Sequence, residues 1–209
     1  MKSFIGVLAD VCAAVHAHAD ELNELDGRAG DGDLGVTMNT AAAVVVKLLP
    51  ELEGKPLADV LRAGGLAIAR EAPSTAGTLI ATGLLRAGAA AAADEADAAA
   101  ALLARLLGAA QQGIAERGKA ELGSKTMLDA LAPAALAAAG AQEEGVTVAL
   151  AHAADAAEAG ARRTATMEPR HGRAGWLAER SIGHEDAGAR LVAIVIRAAS
   201  RSLDEAGDA

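Results

Sequence analysis

Cysteine, aromatic side chains and basic clusters are all scarce in this 209-residue chain, and each scarcity removes a class of function. Cys12 stands alone, which excludes an intramolecular disulfide and a cysteine-based zinc site. Phe4 and Trp176 are the only aromatic residues and β-branched clusters are few, so a β-sandwich or β-barrel lacks its usual strand-forming material. Nineteen Lys and Arg stand against 28 Asp and Glu, for a net charge of −9, and no basic cluster offers a face to nucleic-acid phosphates. No run of about 18 uncharged apolar residues occurs, so no membrane span is expected.

What the chain has in abundance is alanine, 58 residues of it. Alanine is the strongest helix former, and a chain this apolar (52%) and this long suits one all-α domain over 1–209, its helices packed closely through small side chains. The first segment loosely resembles a secretory signal, with Lys2, an apolar stretch and an Ala-His-Ala ending. Asp10 interrupts it, however, and Val7, Leu8, Val11, Ala14 and Val15 follow helical spacing. It reads as an amphipathic first helix of a cytoplasmic protein.

Helix punctuation predicts about eight segments, over 3–24, a second ending at Leu49 before Pro50, then 56–70, 78–93, 95–116, 126–140, 146–165 and 188–205. In an up-and-down arrangement with short connections, alternate loops return to one end. Loops 26–37, 71–78, 117–127 and 168–188 would then share a rim. They also carry the chain's unusual residues.

The first of these loops holds Asp26, Asp31 and Asp33, interleaved with Gly27, Gly30, Gly32 and Gly35. Three carboxylates so close repel one another unless a cation compensates them, and a donor set of oxygens alone suits Mg²⁺ or Ca²⁺. The EF-hand spacing is absent. The plainer reading is a solvated acidic turn whose aspartates cap a helix. Gly35-Val36-Thr37 opens the next helix, where free N–H groups would form an anion site beside the acids. Ser74-Thr75-Ala76-Gly77 is a second small polar helix entrance. Lys125, Arg173 and Arg180 would neutralise phosphate or pair with surface acids. Neither a Walker A lysine motif nor a protein-kinase set is present, and His184 has no Ser or Cys nucleophile in a recognisable setting.

Taken in order, Leu22-Asn-Glu-Leu-Asp26, Gly30-Asp-Gly-Asp33 with Gly35, Arg117-Gly-Lys-Ala120, Gly123-Ser-Lys-Thr-Met-Leu-Asp129, Gly172-Arg-Ala174 and Glu179 through Ala189 resemble the nucleotide-binding L subunit of dihydroxyacetone kinase, the DAK2 domain family. The resemblance covers essentially the whole chain. It implies a closed barrel of eight antiparallel helices with the nucleotide site at one rim. It implies two Mg²⁺ ions held by Asp26, Asp31 and Asp33, and ATP or ADP held by Leu34, Gly35, Val36, Thr37, Thr75, Ala76, Gly118, Met127, Arg173, Asp186, Ala187 and Gly188. In the family, Arg173 and the segment Asp186 to Gly188 match a lid-like loop over the nucleotide, and Trp176 falls in the same loop. Two positions depart from the family pattern: Leu34 stands where a His is usual, and Ala76 where a phosphate-binding Ser is usual.

The implied activity is phosphoryl transfer from Mg-ATP, or from bound ADP recharged by a phosphotransferase-system M-type protein, to a short ketose held covalently by a separate K-type subunit. A homodimer or a hetero-oligomer follows, without nucleic acid or membrane. The alternative of another class is a DAK2-type binding module. Such a module would hold a lipid in its Ala- and Leu-lined interior as a fatty-acid kinase component, or regulate a transcription factor.

Overall fold

The computed structural model describes residues 3–93, 98–169 and 181–205. Every regular element among them is helical. The helices are α1 (Phe4–Ala17), α2 (Ala19–Ala29), α3 (Leu34–Leu52), α4 (Leu57–Glu71), α5 (Thr75–Ala93), α6 (Ala99–Gly118), α7 (Leu128–Gly140), α8 (Val146–Arg163) and α9 (Ala187–Asp204). Each of α3 to α9 packs on the helix before it, except that α3 packs on α1 as well as on α2, and α9 packs on both α8 and α1.

The single first helix expected over 3–24 is two helices. Ser3 caps α1 by accepting the Gly6 N–H, and α1 ends at His18, whose ring Nδ1 lies 2.8 Å from the Ala14 carbonyl oxygen that its own N–H also reaches. The imidazole adds a second bond to that carbonyl at the residue where α1 ends and the chain is redirected. The redirected α2 buries Leu22 completely and delivers Asp26 near its end.

Pro50 does not stop α3, which continues to Leu52. The N–H that a proline lacks would have bonded the Val46 carbonyl, and Val46 is exposed, so water can serve that oxygen. Pro133 likewise sits inside α7 and leaves the Asp129 carbonyl without its helical donor. Gly160 of α8 packs there: a Cβ at 160 would stand 2.2 Å from that oxygen.

Alanines carry the contact throughout. Ala134, Ala138, Ala153, Ala157 and Ala161 are fully buried between α7 and α8, in one core cluster with Leu128 and Ile196. A second cluster joins α1 to α5 with α9 around Leu22, Met38 and Leu191. Of the described helices, α5 is the one long and apolar enough to cross a membrane by length and composition. In this fold it lies between α4 and α6, and its Arg86 pairs with Glu116 of α6 at 2.6 Å.

The α7–α8 contact makes a paired prediction. Gly160→Ala should lower stability by about 1–3 kcal/mol, the cost of overpacking against rigid backbone. Gly108→Ala, in open space inside α6, should raise it by about 0.5–1 kcal/mol through helix propensity. Thermal melts of the two variants should move in opposite directions. Equal shifts would show that the α7–α8 approach is slack.

Candidate functional site

A cavity of about 560 Å³ opens at one end of the helices. Its walls come from the connections before α3, before α5, before α7 and before α9, so the first three alternate loops share a rim with the 185–188 end of the fourth. Asp26, Asp31, Asp33, Leu34, Thr37, Thr75, Ala76, Gly118, Met127, Asp186, Ala187 and Gly188 all line it. Gly35 and Val36 do not: Gly35 is buried where a Cβ would meet the Ala19 carbonyl, and Val36 faces outward. Arg170, Arg173, Trp176 and Arg180 lie outside the described residues.

Carboxylate oxygens of Asp26, Asp31 and Asp33 lie within 4.8 Å of one another. Asp26 is half-buried and its Oδ2 accepts the N–H groups of Gly32 (3.0 Å), Asp33 (3.0 Å) and Leu34 (3.3 Å). Asp26 thus caps α3 from a helix earlier in the chain, while Asp33, at the N-cap position itself, makes no side-chain cap bond. Both readings of the acidic turn meet here: one aspartate caps, and the group still converges. Gly30 is needed for that convergence, because a Cβ there would lie 2.7 Å from Asp26 Oδ1. Three hard oxygen donors without nitrogen or sulfur fit a small divalent cation.

The N–H groups expected to be free at the start of α3 are largely engaged. Asp26 takes that of Leu34, Asn23 Oδ1 takes that of Val36 (3.2 Å), and the Asp33 carbonyl takes that of Thr37. Thr37 can still offer its hydroxyl to the cavity. At the second entrance, the Ser74 hydroxyl caps α5 by accepting the Gly77 N–H (2.9 Å), and Ser74 and Thr75 both line the cavity.

Opposite the acids lies a polar wall that the sequence reading misjudged. Lys125 neither faces the solvent nor pairs with a surface acid. It is 3% exposed, and its Nζ donates to the carbonyl oxygens of Thr164 (2.7 Å), Ser181 (2.9 Å) and His184 (2.8 Å). Asp129, fully buried, was missed as a structural centre. Its Oδ1 accepts the Gly123 N–H and its Oδ2 the Thr126 N–H, fixing the loop before α7. The signal was present as Thr126-x-x-Asp129, a capping-box spacing directly before a helix.

Asp186 to Gly188, the described end of the lid-like loop, open α9. Asp186 caps α9 through the Ala189 N–H (2.8 Å), and its own N–H donates to Thr164 Oγ1 (2.8 Å). Desolvation pushes the Asp186 carboxyl up from the ordinary 3.8 to about 6; its cap bond and Lys125 pull the other way, and Asp129 and Asp26 add to the rise. Burial outweighs the field of Asp186 at Lys125, whose ammonium sits below its usual range.

A carboxyl with a raised folded pKa contributes stability below its ordinary value and loses it as pH climbs through the folded one. Without cation, the chain should therefore weaken between about pH 4 and about pH 7 relative to Asp186→Asn, which keeps an oxygen for Ala189 N–H. Urea unfolding at both pH values checks this, and a constant wild-type-to-variant gap would contradict the assignment.

The sequence profile of the DAK2 domain matches residues 28–201. The chain is 35% identical over 181 residues to the ADP-binding subunit DhaL of the PEP-dependent dihydroxyacetone kinase of Escherichia coli, covering 86% of each. It is 37% identical to the D-erythrulose kinase of Mycolicibacterium smegmatis, over 90% of this chain and 33% of that one. Among solved structures, the C. freundii dihydroxyacetone kinase in complex with AMP-PNP and Mg²⁺ matches with a TM-score of 0.75 at 27% identity, over 95% of this chain and 33% of that one. This chain spans about a third of both longer kinases. On the profile match and the DhaL identity together, the chain belongs to the DAK2 domain family.

Proposed function

We propose that this chain is the nucleotide-binding subunit of a dihydroxyacetone-type kinase, passing a phosphoryl group to a short ketose held by a separate K-type subunit. The observation that carries the reading is the meeting of Asp26, Asp31 and Asp33 in the cavity shared by four connections. The match to an ADP-binding subunit over 86% of both chains supports the choice of ligand.

In this reading Asp26, Asp31 and Asp33 hold two Mg²⁺ ions, since three carboxylates leave charge that one divalent ion does not fully balance with a polyphosphate present. When bound, the ions neutralise charge on the transferring phosphoryl group. Leu34, Thr37, Thr75 and Ala76 line the phosphate side, with the α5 N-terminus supplying dipole and N–H groups. Gly118 and Met127 line the nucleoside side, and Asp186 to Gly188 close the floor. Gly35 and Val36 contribute by fixing the start of α3, through the close approach to the Ala19 carbonyl and the Asn23 bond, and the family resemblance adds Arg173 to the nucleotide ligands.

The succession of packed neighbours from α1 round to α9 and back to α1 supports a closed barrel. Packing of α1 into the core, with Ser202 donating to Asp10 (2.5 Å), supports a cytoplasmic protein whose first helix is part of the fold. The match to a separate ADP-binding subunit over 86% of both chains supports a ketose held by a partner. Exposed Val36 in the first turn of α3, with Leu122 and Ile182 on the connections before α7 and α9, suit a covering partner and thus a hetero-oligomer. The name of the DhaL relatives, PEP-dependent, favours bound ADP recharged by an M-type protein over free exchange of ATP.

Asp31→Asn and Asp33→Asn each remove a charge and a good ligand at constant size. Mg-ADP should bind at least tenfold more weakly, about 1.4 kcal/mol, in calorimetric titration. Unchanged affinity in both variants rejects the metal assignment. The purified chain should also leave dihydroxyacetone unphosphorylated until a K-type subunit is added. Turnover insensitive to that partner would make this chain a complete kinase.

A further inference from the structure

Lys125 occupies an unusual position for a lysine. Its backbone is left-handed (φ +58), its side chain is 3% exposed, and all three ammonium protons meet backbone carbonyl oxygens. No carboxylate among the described residues lies within ion-pair distance of it. A buried ammonium without a contacting counter-ion is costly, and it persists where hydrogen bonds satisfy every donor.

The three acceptors are far from Lys125 in sequence and lie on both sides of one junction. Thr164 follows the end of α8, and Ser181 and His184 precede α9. Thr164 serves twice, its carbonyl receiving Lys125 and its hydroxyl receiving Asp186 N–H. Gly183 N–H reaches the Ala165 carbonyl at 2.8 Å, tying the same two strands of chain. On the Lys125 side, Thr126 and Met127 line the cavity; on the other, Glu185 to Gly188 do. The two walls touch where Met127 lies on Gly188, at which a Cβ would stand 3.4 Å from that of Met127.

We propose that Lys125 is a positioning residue for nucleotide binding: by holding the carbonyls of Thr164, Ser181 and His184 it locks the wall of Asp186 to Gly188 against the wall of Thr126 and Met127, before any ligand arrives. The inference rests on the cavity being the Mg-nucleotide site. Lys125 itself borders the cavity, but its ammonium is committed to the three carbonyls, and in this role it sets the width of the cleft between the two walls. A guanidinium is a flat fork and cannot direct three donors from one atom, so Lys125→Arg keeps the charge and loses the lock.

The test uses the full chain, with Mg-ADP and Mn²⁺ as probes. Lys125→Met and Lys125→Arg should bind Mg-ADP at least tenfold more weakly by calorimetry, while Mn²⁺ alone, read by electron paramagnetic resonance, binds the aspartate cluster as in wild type. A purely structural role would instead move melting temperature with both affinities intact. Wild-type Mg-ADP affinity in either folded variant overturns the proposal. A third measurement needs no variant: in wild-type protein the Asp186 and Ala189 amides should be protected from hydrogen exchange equally with and without Mg-ADP. Protection that arises only on adding nucleotide means the wall is not set in advance, and also overturns it. Failure of wild type to bind Mg-ADP at all would fault the nucleotide reading instead.

Discussion

Mutual repulsion among three carboxylates is the constraint around which one end of this molecule is arranged. At the 4.8 Å within which their oxygens converge, each like-charged pair costs roughly 3 kcal/mol at an effective dielectric constant near 20. Three N–H groups on one oxygen of Asp26 offset much of its share, at about 1.5–3 kcal/mol for each bond to a charged group. Asp31 and Asp33 are instead left exposed, where water screens them. A site built this way is tolerable when empty and presents the oxygen donors that a divalent cation takes.

Bringing that cluster to the rim depends on helices that approach closely. Fully buried alanines between α7 and α8, and glycine against a proline-freed carbonyl, allow backbone contact that larger side chains would prevent. The connections then stay short, and alternate ones return to the same end. The cavity is therefore a property of the helix packing as much as of the loops that line it.

Much of this was legible in the residues. Alanine content and punctuation indicated the helical class and most boundaries, and the first three loops with odd chemistry proved to share one cavity with the end of the fourth. Where the reading failed, a local rule had been overridden by a contact from elsewhere. At His18, whose ring bonds the Ala14 carbonyl, a helix that periodicity makes continuous divides in two, and Pro50 is harmless because the carbonyl it orphans is wet. For Lys125 the sequence offers phosphate or a surface acid as partner, and the structure gives it three backbone carbonyls instead. Its three acceptors lie 39 to 59 residues away, and backbone carbonyls leave no mark in sequence. Asp129 was hidden differently, since its capping-box spacing was readable but its complete burial was not.

The two walls of the cavity therefore follow opposite designs. The acidic wall is exposed, like-charged and incomplete without a ligand. The opposite wall is pinned by a buried ammonium, a buried carboxylate and the Thr164 hydroxyl, all satisfied by the chain itself. Phosphoryl transfer draws on both properties, since a fixed frame preorganises a nucleotide while grouped carboxylates offer oxygen donors to a cation. It also needs water excluded, which a cavity open at one end does not achieve alone. A site rigid on one side, charged on the other and open above is arranged to be finished by a second surface.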